Sequence, residues 1–183
     1  CEVPSLRGTG RSGALAADRV DGDTFYSWDQ GQLARSTDGG LHFTPISTGL
    51  PDENGTIATA HGLEHEVWIG MPPAGLHRSV DGGRAFSRIE AVEKVILFCL
   101  GKPPEIGEPP VLFLYGTVGG REGVFRSFDL GVRWEDISPP EPVGIGCNPR
   151  VMAASQQHSG LVFIGTGGRG IFYGMPEPAT QNR

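Results

Sequence analysis

Three carboxylates recur in one setting along this chain. Asp38, Asp81 and Asp129 each stand two residues after a serine (Ser36, Ser79, Ser127) and two before a glycine (Gly40, Gly83, Gly131). An aromatic residue follows three positions later (Phe43, Phe86, Trp134), giving the octet S-x-D-x-G-x-x-[FW]. Repeated carboxylates suggest two kinds of chemistry, general acid–base work or a hard cation held by oxygen ligands. Neither suits this pattern, because equivalent acids on equivalent turns of a repeat cannot all meet in one site. A local reading accounts for every position. Asp accepts backbone N–H bonds, Gly tolerates positive φ, Ser opens the turn by bonding its own backbone, and the aromatic anchors one unit on its neighbour. All of these residues are therefore read as structural. The third octet has Leu130 where the others have Gly39 and Gly82, which predicts a slightly altered turn there.

The remaining reactive side chains narrow the field further. His42, His61, His65, His77 and His158 are scattered, and the pair four apart, His61 and His65, falls on a strand–turn stretch rather than a helix. No metal is expected, since no Cys/His spacing matches a zinc site. Of Cys1, Cys99 and Cys147, Cys99 lies inside the apolar run Val95–Leu100 and reads as a small buried hydrophobe. Cys1 as a lipid-bearing N-terminus is the alternative use of a cysteine here. Gly165–Gly170 (GTGGRG) lacks the helix a phosphate site would need and reads as a turn, so no cofactor is expected. A formal charge of −6 without a Lys/Arg cluster argues against nucleic acid as a partner. No apolar stretch approaches the roughly 20 residues of a membrane span. The sequence opens at Cys1 without Met, which places its start after a processing site or inside a longer gene.

The elements that carry the octets are strands. The 29 Gly and 15 Pro among 183 residues fall in turns between apolar runs, the composition of a turn-rich all-β protein. The octets begin at Ser36, Ser79 and Ser127, and a period of about 40–50 residues built of strands and turns is that of propeller blades. Each octet follows a strand ending in Arg-Ser (QLARS, GLHRS, GVFRS), and two further strands precede that one. A fourth strand follows each octet (FTPIS, FSRIE, WEDIS). The units run over about 12–50, 55–91, 93–138 and 148–174, and the last stops before its fourth strand. The expected fold is all-β, a partial β-propeller of Asp-box (BNR-like) blades over 1–176, three complete and a fourth incomplete, with a flexible tail at 177–183. Such an array cannot close a ring, so the remaining blades of the same protein, or a companion chain, are expected as partners.

Longer strings narrow the family. Ala16–Asp29 (AADRVDGDTFYSWD), Leu114–Ser127 (LYGTVGGREGVFRS, after the Gly101-Lys-Pro-Pro stretch) and Val162–Gly174 (VFIGTGGRGIFYG) resemble, in order, segments of glycoside hydrolase family 74, the xyloglucanases. The resemblance implies two seven-bladed propellers facing across a cleft, a secreted protein, and inverting hydrolysis of the β-1,4-glucan backbone of xyloglucan. It places one catalytic aspartate early in each propeller, whereas this chain resembles the last half of the second. No catalytic residue is carried over, and the chain alone is expected to be inactive. The competing reading is a non-catalytic Asp-box module that binds protein or polysaccharide.

On either reading, ligand contacts belong to the loops joining second to third strands and those joining each fourth strand to the next unit, opposite the octet turns. Trp28 is the candidate to stack on a sugar ring, against packing between blades as the alternative. Asp29 is a candidate to bond sugar hydroxyls, against a turn role. Arg121 and Arg169 sit in matching Gly-rich loops, where they reach hydroxyls or cap blade carbonyls.

Overall fold

The computed structural model describes residues 13–29, 31–46, 48–140 and 148–175. The expected tail at 177–183, along with Cys1 and Cys147, lies outside the described residues. Four antiparallel sheets follow one another in sequence. The first holds β1 (Ala14–Ala17), β2 (Phe25–Asp29), β3 (Gln32–Ser36) and β4 (Thr44–Ile46). The second holds β5 (Thr56–Thr59), β6 (Val67–Met71), β7 (Gly75–Ser79) and β8 (Ser87–Arg88). The third holds β9 (Val92–Gly101), β10 (Val111–Val118), β11 (Arg121–Ser127) and β12 (Glu135–Asp136). Among the described residues the last has β13 (Pro149–Ala154), β14 (Val162–Thr166) and β15 (Ile171–Gly174). Within each sheet the strands pair in chain order, and β1, β5, β9 and β13 lie side by side from sheet to sheet. This is a partial propeller: an open fan of meander blades, first strand innermost. No helix among the described residues is long and apolar enough to cross a membrane.

The second strand of each blade explains the stacking. Alternating side chains face opposite sides of a sheet, and a strand covered on both sides reads as a continuous apolar run. β6, Val-Trp-Ile-Gly-Met, is buried at all five positions. Its Val67, Ile69 and Met71 pack with Tyr26, Trp28 and Leu33 of the first blade. Trp68 and Leu76 pack the other way, onto Val95, Phe98, Leu112, Leu114 and Phe125 of the third. Val111, Phe113 and Val124 then pack on Met152, Val162 and Ile164 of the last. Cys99 packs beside this third cluster, and burial pushes its thiol up to about 12.

The octet turns key into the gaps between blades. Gly83 has φ +89° and sits against the preceding blade, where an added Cβ would overlap Leu33 Cδ2. Gly39 has φ +73° but faces open space. The pair separates backbone freedom from packing. Gly39→Ala is expected to cost about 1–2 kcal/mol, the left-handed penalty alone. Gly83→Ala should cost at least about 1 kcal/mol more, because Leu33 must also move. Urea unfolding of the two variants checks this; equal losses would show that the blade contact at Gly83 is unimportant.

Candidate functional site

The octet carboxylates bond backbone, at three separated turns. The Ser36 hydroxyl donates to Asp38 Oδ1 at 2.7 Å and accepts the Gly40 N–H at 3.0 Å, while the His42 N–H donates to Asp38 Oδ1 at 3.0 Å. The second turn repeats this: Ser79 to Asp81 at 2.7 Å, Gly83 N–H to Ser79 at 2.9 Å, and the N–H groups of Arg84 and Ala85 to Asp81, both at 3.0 Å. So does the third, with Ser127 to Asp129 at 2.9 Å, Gly131 N–H to Ser127 at 2.9 Å and Arg133 N–H to Asp129 at 2.8 Å. The third turn is slightly altered, as expected. The N–H groups of Gly39 and Gly82 donate to Asp23 O and His65 O, both at 2.9 Å, a bond without a counterpart at Leu130 among the described residues; Leu130 keeps a left-handed φ of 59° beside the 73° of the two glycines, and the side-chain bonds of the octet are kept. The Leu130 side chain packs against the second–third blade core beside Trp134 and Ile89, which offsets the strain of left-handed backbone in a leucine.

These bonds set the charge state of the turns. The Ser36 hydroxyl and the His42 N–H hold the Asp38 carboxyl well below its ordinary 3.8. The Ala85 N–H and the Ser79 hydroxyl lower Asp81 likewise. At Asp129 slight burial pushes upward, but the Arg133 N–H and the Ser127 hydroxyl outweigh it. A carboxylate depressed in the folded state adds stability above its unfolded pKa, and that stability is lost as the pH falls through the folded value. The melting temperature should therefore drop as the pH falls below about 4. The triple variant Asp38→Asn, Asp81→Asn, Asp129→Asn should begin lower at pH 6 and lose most of that slope; an unchanged acid slope would count against the turn carboxylates as its source.

The candidate contact residues share the end of the blades opposite the octets but not one another's company. Trp28 is 1% exposed and buried among Tyr26, Leu33, Ile57 and Met71. As a sugar-stacking residue it is corrected: both faces of its ring are covered by the first two blades. Asp29 closes the β2–β3 hairpin opposite Gln32 and is half-buried. Arg121 opens β11 two blades away, exposed, with its guanidinium 3.0 Å from Asp136. Arg169 lies in the β14–β15 turn, where its backbone N–H donates to Thr166 Oγ1 at 3.0 Å. Near Arg121 the structure adds pairs that sequence alone did not show. Glu93 accepts the Gly120 N–H at 3.1 Å, and Glu122 takes Lys94 at 3.4 Å and the Tyr115 hydroxyl at 3.5 Å. Such partners sit on neighbouring strands, so only the pairing register discloses them.

A second tie joins the first two blades at the octet end. Asp18 Oδ2 accepts the His65 N–H at 2.9 Å across the blade boundary, and its Oδ1 accepts Val20 and Asp21 N–H at 2.9 and 3.1 Å. His65 therefore helps to hold a turn. Among the described residues no group of three or more His, Cys, Asp or Glu is placed to hold a metal ion. An open cavity of about 550 Å³ runs between the innermost strands. Ala16, Thr59, Cys99 and Ala154 are among its lining; among the described residues Arg19 is its one charged side chain, and no carboxylate lines it.

Fold and turns together define the class: a partial Asp-box β-propeller. No family model matches the chain. Its sequence is similar to xyloglucanase Xgh74A of Acetivibrio thermocellus, 34% identical over 168 residues, covering 91% of this chain and 20% of that protein. It is 30% identical over 174 residues to the oligoxyloglucan-reducing end-specific xyloglucanase of Emericella nidulans, covering 87% of this chain and 21% of that protein. Its fold is similar to the GH74 xyloglucanase of Xanthomonas campestris, with a TM-score of 0.76 and 32% identity over 90% of this chain and 24% of that one. Over about nine-tenths of its length the chain is similar to enzymes of the glycoside hydrolase family 74 type, and it spans about a fifth to a quarter of the length of these relatives.

The burial of Trp28 has a measurable consequence. Trp28→Ala should lower unfolding free energy by about 3–5 kcal/mol. Arg121→Ala, at an exposed ion pair, should change it by about 0.5 kcal/mol or less. Chemical denaturation of both variants decides this, and a near-neutral Trp28→Ala would return the ring to the list of ligand contacts.

Proposed function

We propose that this chain is a portion of a glycoside hydrolase acting on xyloglucan or a related β-1,4-glucan outside the cell, with further blades, in the same polypeptide or a companion chain, completing its ring. One observation carries the proposal: similarity to enzymes named xyloglucanases runs over about nine-tenths of the chain. The part the chain plays follows from its physics. Inverting hydrolysis needs an acid and a base about 6.5–9.5 Å apart, with a water between them. The carboxylates at the octet turns bond backbone at three separate places, and no carboxylate among the described residues lines the central cavity. The segment supplies wall and loops, offering Asp29, Arg121 and Arg169 toward the polysaccharide, while the catalytic aspartates belong to other blades.

The test is release of reducing ends from xyloglucan. The purified 183-residue chain is expected to release none, and the longer polypeptide that contains it to hydrolyse the polymer with inversion at the anomeric carbon. Hydrolysis by the isolated chain would falsify the division of labour proposed here. Retention of the longer polypeptide in a xyloglucan gel without hydrolysis would favour the non-catalytic binding module instead.

A further inference from the structure

The link between the first two blades carries a reactive pair of residues. Asn54 and Gly55 lie between β4 and β5, outside either strand, and Asn54 is exposed. Among the described residues the Asn54 carboxamide makes no hydrogen bond, and no backbone bond holds the Gly55 N–H. An asparagine before a glycine sets a carboxamide carbon within reach of a main-chain nitrogen that no side chain shields. Attack of that nitrogen on the carbon closes a succinimide ring.

The similar pairs elsewhere are disarmed. At Asp38-Gly39 and Asp81-Gly82 the glycine N–H groups are taken up by Asp23 O and His65 O, both at 2.9 Å. Their acyl groups are carboxylates, poor electrophiles, and turn N–H groups hold them. At Asp21-Gly22 the carboxylate takes the Asp23 N–H and the Thr24 hydroxyl, at 3.1 and 2.7 Å. Asn148 precedes Pro149, which has no N–H to attack with.

We propose that Asn54 is a self-modification site, converted to isoaspartate and aspartate through a succinimide formed with Gly55, and that the isoaspartate form loosens the join of the first two blades. The Gly55 nitrogen bonds to Asn54 Cγ and gives up its proton; the Cγ–Nδ2 bond breaks, and Nδ2 leaves as ammonia carrying that proton. Water then opens the ring, with nothing oxidised or reduced. Opening at Cγ leaves aspartate on an ordinary main chain. Opening at the Asn54 main-chain carbonyl routes the chain through the side chain, as isoaspartate. The fold bears the two products differently, because the main chain enters the blade packing directly after Asn54. A Cβ at Gly55 would lie 2.6 Å from Gly70 O and 3.1 Å from Met71 Cγ and Trp28 Nε1. Thr56 then starts β5 opposite Gly70. Isoaspartate lengthens the main chain by a methylene at this close-packed point, whereas aspartate adds only a charge to an exposed side chain. The chemistry needs neither the longer polypeptide nor its activity.

Peptide mapping of the 183-residue chain tests the site. Asn54 is the one carboxamide between Arg35 and Arg78, so the tryptic peptide of residues 36–78 reports on it alone. After incubation in mildly alkaline buffer that peptide should gain the mass difference between a hydroxyl and an amino group, in isoaspartyl and aspartyl forms. The rate in the folded chain should lie within about tenfold of that in the guanidinium-unfolded chain, as for a segment whose opening costs little. Asn54→Gln should abolish the gain, since its longer side chain closes the ring poorly. Fresh Asn54→Asp should melt with the fresh parent chain, and the isoaspartate-rich aged chain should melt lower than both. Conversion confined to the unfolded chain would overturn the proposed site. An aged, converted chain that melts like the fresh one would overturn the loosening of the blades.

Discussion

A sheet that is apolar on both sides has to be covered twice. Everything else in this chain answers to that constraint. β6 is buried from Val67 to Met71 because a blade lies on each side of it, and burying such side chains is worth on the order of 1.5–3 kcal/mol each. A single blade exposes both faces and has no stable existence alone, so stability accrues blade by blade through neighbour contacts, as in other repeat arrays. The turns serve the same end. Gly83 is a glycine both because its backbone is left-handed and because Leu33 of the preceding blade occupies the space a side chain would need.

Covering the faces leaves polar work for the rims, where short side chains complete the backbone. Asp38, Asp81 and Asp129 use their oxygens on N–H groups of their own turns, and Asp18 uses both of its oxygens, one of them across a blade boundary. A carboxylate fixed by several backbone donors stays ionised and is a poor proton donor near neutral pH. The same geometry that makes Asp38, Asp81 and Asp129 good turn residues makes them bad general acids. Buried Glu66 is satisfied by side chains instead, inside the second blade, accepting from Trp68 Nε1 at 2.8 Å and Arg78 at 2.6 Å.

Most of this fold was readable because repetition amplifies weak signals. One S-x-D-x-G turn means little, but three of them, each behind Arg-Ser, define a blade and its strand order. The limits of the reading were equally physical. Trp28 is apolar and stands at the loop end of its strand, so sequence offered both a sugar platform and a core residue; which side of β2 it faces depends on the register with β3, where it pairs with Leu33. The pairs around Glu122 and the Asp18–His65 tie were hidden for the same reason, since their partners come from other strands or another blade. The change of turn at Leu130 was legible, but the packing that lets a leucine keep left-handed backbone, on the core between the second and third blades, is not local.

In a repeat, positions that obey the pattern describe neighbours, and departures from it describe place. Arg35, Arg78 and Arg126 give way to Tyr173, and Ser36, Ser79 and Ser127 give way to Gly174. Arg78 and Arg126 hold carboxylates within their blades, Glu66 and Glu135; Tyr173 instead meets Phe163, with ring centroids 6.4 Å apart. The serine is the residue that opens each octet turn, and Gly174 has no hydroxyl to do the same. Both substitutions fall in β15 and act in one direction, exchanging a self-contained blade edge for an apolar, unpaired one. A random loss of pattern would scatter through the sheet. Here both fall on β15, the edge strand of its sheet among the described residues.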